Sequence, residues 1–345
     1  MSKALRYSVL DLVSLRPGEA AGEGIARTVQ AAQQAEALGF TRYWLAEHHS
    51  IRGLACSATA VLIGHVAGQT STIRVGSGGV MLPNHAPLVV AEQFGTLASL
   101  YPGRIDLGLG RAPGGDGYTM RALRRDLRSG VLGGGDDFPE LLAELRQYLA
   151  SPRPGQMVLA VPGQGTYVPM TLLGSSGFSA QLAGQLGLPF AFAAHFAPQY
   201  FAAAVQLYRQ SFRPSDVLQE PYVLAGIPVI ATDTDAEAQR LFTTPQQRFL
   251  ALIRNQPVEV KSPVASMDGL WNEAERDAVD ARLAAAIVGG PETVRHGLQM
   301  LVDELGVDEI LAVADTYATD DRLRTYEIVA EAAKQVTVRE TALAA

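Results

Sequence analysis

Glu47, His48 and His49 stand in a row, followed by Ser50. An imidazole beside a carboxylate and a second imidazole can be tuned toward a working pKa near neutrality. The triplet therefore suits general acid-base or hydrogen-bonding work on a bound substrate. Paired histidines also raise a metal, but no third ligand stands at an obvious spacing, so no metal site is expected. The plainer reading is that the pair caps a strand or packs locally. Further on, Leu173-Gly174-Ser175-Ser176-Gly177-Phe178-Ser179 sets small hydroxylic residues at the start of a helical pattern. Free backbone N–H groups and the positive end of the helix dipole cradle phosphate at such a start. An ordinary serine N-cap explains one of those serines, not three. Arg111 closes an alternating run and offers a planar fork to a phosphate or carboxylate, or else a salt bridge across loops. In Val75-Gly76-Ser77-Gly78-Gly79-Val80, glycines occupy a strand where branched residues are usual. Such glycines mark either close approach of a ligand or a barrel layer that needs small residues. His85 and His195 keep apolar and aromatic company and, with Met81, Leu82, Phe192 and Phe196, are candidates for the wall of a substrate pocket. His65 and His296 fall inside helical patterns and are expected to be structural or solvent-facing.

The elements that position these residues follow from hydrophobic periodicity. Strand runs occupy residues 7–10, 42–45, 73–79, 104–110, 170–174, 190–193, 222–231 and 307–313. Helical patterns at 22–38, 57–69, 87–100 and 179–186 alternate with them, and Gly39 supplies a left-handed stop to the first. Eight strands trailed by helices is the number a closed parallel cylinder requires, whereas a doubly wound sheet carries about five or six. The expected fold is therefore α/β, a (β/α)8 TIM barrel, as a single domain over 1–345. Two stretches fall outside the repeat and read as insertions after strands four and seven. One is 112–168, which includes a glycine run at 130–135; the other is 255–284, a candidate lid. Barrels of this kind carry their chemistry on the loops that follow the C-terminal strand ends. Glu47, Arg111, Ser175 and His195 all fall on such loops.

Composition narrows the partners. The 345 residues are 48% hydrophobic and 18% charged, with a formal charge of -7 and no long acidic or basic block. Nucleic acid and anionic membrane are not expected partners. The lone cysteine, Cys56, makes neither an internal disulfide nor a multi-thiolate metal site. Residues 1–6 lack a signal-peptide core, and no run approaches the roughly 18 apolar residues of a membrane span, so a cytoplasmic chain is expected. No Gly-x-Gly-x-x-Gly opens a helix after the first strand and no Gly-x-Ser-x-Gly elbow is present, which removes support from dinucleotide-binding and hydrolase folds.

The run Gly39-Phe40 through Trp44-Leu45-Ala46-Glu47-His48-His49, with 75–83, 103–111, 173–189 and Val288-Gly289-Gly290-Pro291-Glu292-Thr293-Val294, resembles the bacterial luciferase-like flavin monooxygenases along nearly the whole chain. The resemblance implies a barrel that binds reduced FMN at its C-terminal face, reacts it with O2 and oxygenates a small, apolar organic substrate such as an aldehyde. A separate flavin reductase would supply the reduced FMN, and the protein would be a homodimer. It also implies that Arg111, Ser176 and Ser179 hold the FMN phosphate, with Gly174 in the same turn and backbone N–H groups at Ser175 and Ser176. A non-prolyl cis peptide at Gly78-Gly79, next to Ser77, would lie under the isoalloxazine ring, and His48 would be the active-site histidine with Glu47 and His49 beside it. Ser175 and Gly110 stand where luminous members carry glutamate and cysteine, which implies the non-luminous branch. Two other readings share this barrel: a deazaflavin-dependent oxidoreductase that transfers hydride, and a flavin-binding protein without turnover.

Overall fold

A computed structural model describes residues 3–112, 117–123 and 137–338. The glycine run 130–135 lies outside the described residues. Eight strands form the barrel: β1 (Arg6–Asp11), β2 (Arg42–Leu45), β3 (Arg74–Met81), β4 (Ile105–Gly110), β5 (Met170–Gly174), β6 (Phe190–Phe192), β7 (Val223–Ala231) and β8 (Glu309–Val313). Each pairs in parallel with the next, and Glu309 of β8 lies opposite both Arg6 of β1 and Leu224 of β7, which closes the cylinder. The eight expected strands are all present, with ends moved by a residue or two. All nine residues of β7 are buried, as befits a parallel strand covered on both faces. Periodicity misses the shortest pieces. A two-residue strand, Lys3–Ala4, pairs antiparallel with Thr337–Val338, and Ile287–Gly289 extends the sheet beside the end of β7.

The helices are α1 (Ala21–Ala37), α2 (Thr59–Gly68), α3 (Pro87–Leu100), α4 (Gly117–Leu123), α5 (Phe138–Leu149), α6 (Gly177–Leu186), α7 (Phe201–Ser211), α8 (Asp235–Ile253), α9 (Glu273–Arg282), α10 (Pro291–Leu305) and α11 (Thr319–Ala333). Gly39 takes φ +81 just beyond α1, the left-handed conformation that ends a helix without a Cβ penalty. Helices α4 and α5 belong to the connection after β4, and α9 to the connection after β7. Val279 of α9 and neighbouring Leu283 pack with Leu250 and Met267 in a small core of their own.

Charged groups seal the N-terminal end of the barrel. Glu309 is fully buried and accepts from Arg42 Nε at 2.7 Å, Arg42 Nη2 at 3.0 Å and the Tyr222 hydroxyl at 2.7 Å. Asp106 accepts from Arg42 Nη1 at 3.0 Å, Trp44 Nε1 at 3.2 Å and Arg74 Nε at 3.0 Å. Buried charges are tolerated when each is paired and hydrogen-bonded, and this cluster meets that condition. A second buried knot joins barrel to helices. Asp11 of β1 accepts from Thr28 of α1 at 2.8 Å and from Tyr43 of β2 at 2.5 Å, and pairs with Arg322 of α11 at 2.9 Å. With one end closed by ion pairs, a ligand reaches the barrel from the other.

Candidate active site

The loops after β2 and β3 are neighbours at that open end because their strands are. Glu47 follows β2 and is buried, while His85 follows β3, 38 residues further along the chain. Glu47 Oε1 accepts from His49 Nε2 at 3.0 Å and from His85 Nε2 at 2.8 Å. A carboxylate oxygen can only accept, so each ring turns an Nε2 proton toward it. Within the expected trio, a hydrogen bond joins Glu47 and His49 directly. His48 interacts electrostatically with Arg248 and His195 as well as with Glu47 and His49.

Burial above all, then the positive Arg248 guanidinium and His195, pushes the His48 imidazole down to about 4, against the opposing pull of Glu47. Near neutral pH His48 is an uncharged hydrogen-bonding group and a weak base. In NMR titration its ring proton should therefore hold a constant shift from pH 8 to about 6 and move only near pH 4. A midpoint near 6.5 would contradict the burial argument. His195 is also held below its ordinary value, chiefly by burial. Its Nδ1 lies 3.3 Å from the Gly226 carbonyl, and a Cβ at Gly226 would stand 2.6 Å from that nitrogen. The glycine in β7 makes room for the ring.

Arg248 escaped the sequence reading. It projects from the middle of α8, is 8% exposed, donates to Ser14 Oγ at 2.9 Å and pairs with Asp315, which in turn accepts from Ser14 Oγ at 3.0 Å. Asp315 lies two residues past β8, so the rule placing chemistry after strand ends could have found it. Nothing in the pattern of α8 singles out Arg248.

The glycine-rich strand is explained mostly by packing. A Cβ at Gly76 would fall 2.5 Å from the Asp106 carbonyl oxygen, and one at Gly78 would fall 2.5 Å from a methyl of Leu10. The register between β3 and β4 shifts between Ser77 and Val80, and the buried Ser77 hydroxyl donates to the Gly108 carbonyl at 2.8 Å. Ser77 is thus committed to the neighbouring strand. A cis peptide joins Gly78 to Gly79, at the position the resemblance implies.

Across the mouth, α6 begins with Ser176 as its N-cap. No side chain caps this end, and no acidic residue stands in the first turn. Its first N–H groups and positive dipole end thus have no side-chain partner from the cap. The Arg111 guanidinium lies over the ring of Phe178, in that first turn, with its carbon 4.5 Å from the ring centroid. Beside it a cleft of about 280 Å³ is lined by Ser176, Gly177, Tyr200, Ala203, Ala204 and Leu207. Ser175 and Ser176 are half-buried at this start, whereas Ser179 is buried. A Cβ at Gly174 would stand 2.8 Å from the Ser179 hydroxyl, so Ser179 packs beneath the turn and Gly174 makes room for it.

Among the other wall candidates, Met81 is half-buried at the end of β3 and Leu82 is buried. Phe192 is 1% exposed and stacks on Phe201 of α7 at 5.0 Å, between sheet and helices rather than at the mouth. Phe196 is exposed beneath Arg282 of α9, at 5.6 Å. His65 and His296 are both exposed on their helices. Among the described residues no helix is long and apolar enough to cross a membrane.

A family model described as luciferase-like monooxygenase matches residues 5–309. The luciferase-like monooxygenase of Escherichia coli (strain K12) is 46% identical over 334 residues, which is 97% of this chain and 98% of that protein. Among solved structures, apo-MsnO8 is 34% identical with a TM-score of 0.84, covering 97% of this chain and all of that one. The oxygenating constituent of 3,6-diketocamphane monooxygenase from Pseudomonas putida, in complex with FMN, superposes with a TM-score of 0.74 at 20% identity, covering 98% of this chain and all of that one. The closed barrel, the matched model and these relatives agree: the chain belongs to the luciferase-like monooxygenase family.

Proposed function

We propose that this protein binds reduced FMN across the open mouth of the barrel and oxygenates a small organic substrate there. The observation that carries the reading is the Arg111 guanidinium over the first turn of α6, a helix start that no side chain caps. Arg111 and the backbone N–H groups of Ser176 and Gly177 would hold the phosphate, joined by the Ser175 and Ser176 hydroxyls. The cis Gly78–Gly79 peptide would lie under the flat face of the ring. When bound, reduced FMN supplies two electrons, by which one atom of O2 enters the substrate and the other leaves as water. A flavin reductase would provide it in reduced form.

The chain's own groups bind, orient and protect. Neutral His48 offers a hydrogen bond without charge. Glu47 orients the rings of His49 and His85 through their Nε2 atoms. Met81 and His195 form the apolar side of the substrate wall. Arg282 of α9 over Phe196 links the connection after β7 to the loop after β6.

The test is oxygenation under 18O2 with chemically reduced FMN and a panel of short aldehydes, ketones and thioethers. One labelled atom per product molecule is expected, with yield cut at least tenfold in Glu47→Gln. Oxygen uptake no faster than that of free reduced FMN, with no labelled product, would overturn the proposal. Tighter binding of the deazaflavin F420 than of FMN would favour hydride transfer instead.

A further inference from the structure

We propose that Glu47, His49 and His85 form a binding site for a divalent transition ion of the zinc class. The three side chains present one carboxylate oxygen and two imidazole nitrogens, all within 4.8 Å of one another. This donor set, two imidazoles and one carboxylate, suits zinc, cobalt, nickel or ferrous ions, whereas magnesium and calcium prefer oxygen alone. An ion about 2.0–2.2 Å from each donor holds them roughly 3.3–3.5 Å apart in a tetrahedral arrangement. The two oxygen–nitrogen separations lie a few tenths of an ångström below that value. Glu47 Oε1 stands 3.0 Å from His49 Nε2 and 2.8 Å from His85 Nε2, and one donor atom of each of the three side chains lies within 4.8 Å of the other two. Sub-ångström parting of the carboxylate from the rings admits the ion.

Both nitrogens already converge on one point, because both are Nε2 atoms aimed at the same oxygen. On ion entry each ring keeps one proton, now on Nδ1, and turns the Nε2 lone pair to the metal. No electron is transferred. The carboxylate lies at the base of the site, 3% exposed, while the His49 and His85 side chains are 12% and 27% exposed. Buried negative charge draws the cation and the open side lets it in. Three protein ligands leave a position free for water or another small ligand. Two adjacent loops supply the donors, which is why spacing along the chain concealed the third.

The site shares Glu47, His49 and His85 with the flavin proposal, but its test is ion binding and needs no turnover. Metal-free protein without an affinity tag is titrated with Zn²⁺ by calorimetry and with Co²⁺ by visible absorption. One ion per chain is expected, with binding weakened at least tenfold in both His85→Ala and Glu47→Gln and unchanged in His296→Ala, whose imidazole is exposed on α10. Far-UV circular dichroism of each variant establishes that it is folded, and His49→Ala replaces any that is not. Absence of stoichiometric Zn²⁺ binding, equal affinity in the folded His85 and Glu47 variants, or equal affinity for Mg²⁺ would overturn the assignment.

Discussion

Arg111→Ala is expected to raise the dissociation constant of FMN by about 10- to 150-fold while leaving that of riboflavin unchanged. A charge-assisted hydrogen bond to phosphate contributes about 1.5–3 kcal/mol, and each 1.4 kcal/mol is a tenfold change in affinity. The comparison with riboflavin isolates the phosphate, because both ligands carry the same ring. Arg111 sits on a loop, half-buried against the exposed ring of Phe178, so its loss should not disturb the barrel. Arg111→Lys should fall between, since lysine keeps the charge but not the planar fork. Fluorescence quenching of the flavin measures all of these, and an equal loss for riboflavin would show that Arg111 acts on something other than phosphate.

Arg322→Met should cost about 3–5 kcal/mol of stability at neutral pH, the usual result of leaving one member of a buried ion pair without its partner. Asp11 and Arg322 are 3% and 8% exposed, and the pair spans β1 and α11, so barrel and helical layer loosen together. The pH dependence carries a sign. Burial alone would push the Asp11 carboxyl up, but Arg322, Tyr43, Val13 and Thr28 together hold it below its ordinary value. Its contribution is then complete above the unfolded carboxyl value of about 4 and is lost as pH falls through the lower folded value. In Arg322→Met, burial prevails and the carboxyl rises. The stability gap between wild type and variant should thus be widest near neutrality and narrow in acid, as read by denaturant unfolding from pH 7 to pH 3. A constant gap would mean that Asp11 charge is not what Arg322 balances.

The eight barrel strands were legible because parallel strands covered on both faces read as near-continuous apolar runs, and β7 is buried throughout. The small, hydroxylic turn ahead of α6 was legible too, because it is a local signal, and Arg111 falls on the adjacent loop. What local pattern could not give was which way a side chain faces. Phe192 looked like a pocket wall by composition, yet it stacks on Phe201 of α7, and Phe190 packs tilted against Tyr208 of the same helix. Ser77 is drawn to Gly108 by a register shift that only the paired strand defines. His85 joins Glu47 and His49 because a parallel crossover sets successive loops side by side, and Arg248 enters the site from mid-helix, where periodicity marks only the buried face. Long-range meetings of this kind belong to the closed cylinder rather than to any window of sequence.

A crystal structure of the protein with FMN bound tests the central claim most directly. The account predicts the phosphate within hydrogen-bond distance of the Arg111 guanidinium and the N–H groups at the start of α6, with the ring system lying across Gly78 and Gly79. A phosphate seated elsewhere, with Arg111 turned away from it, would contradict the account.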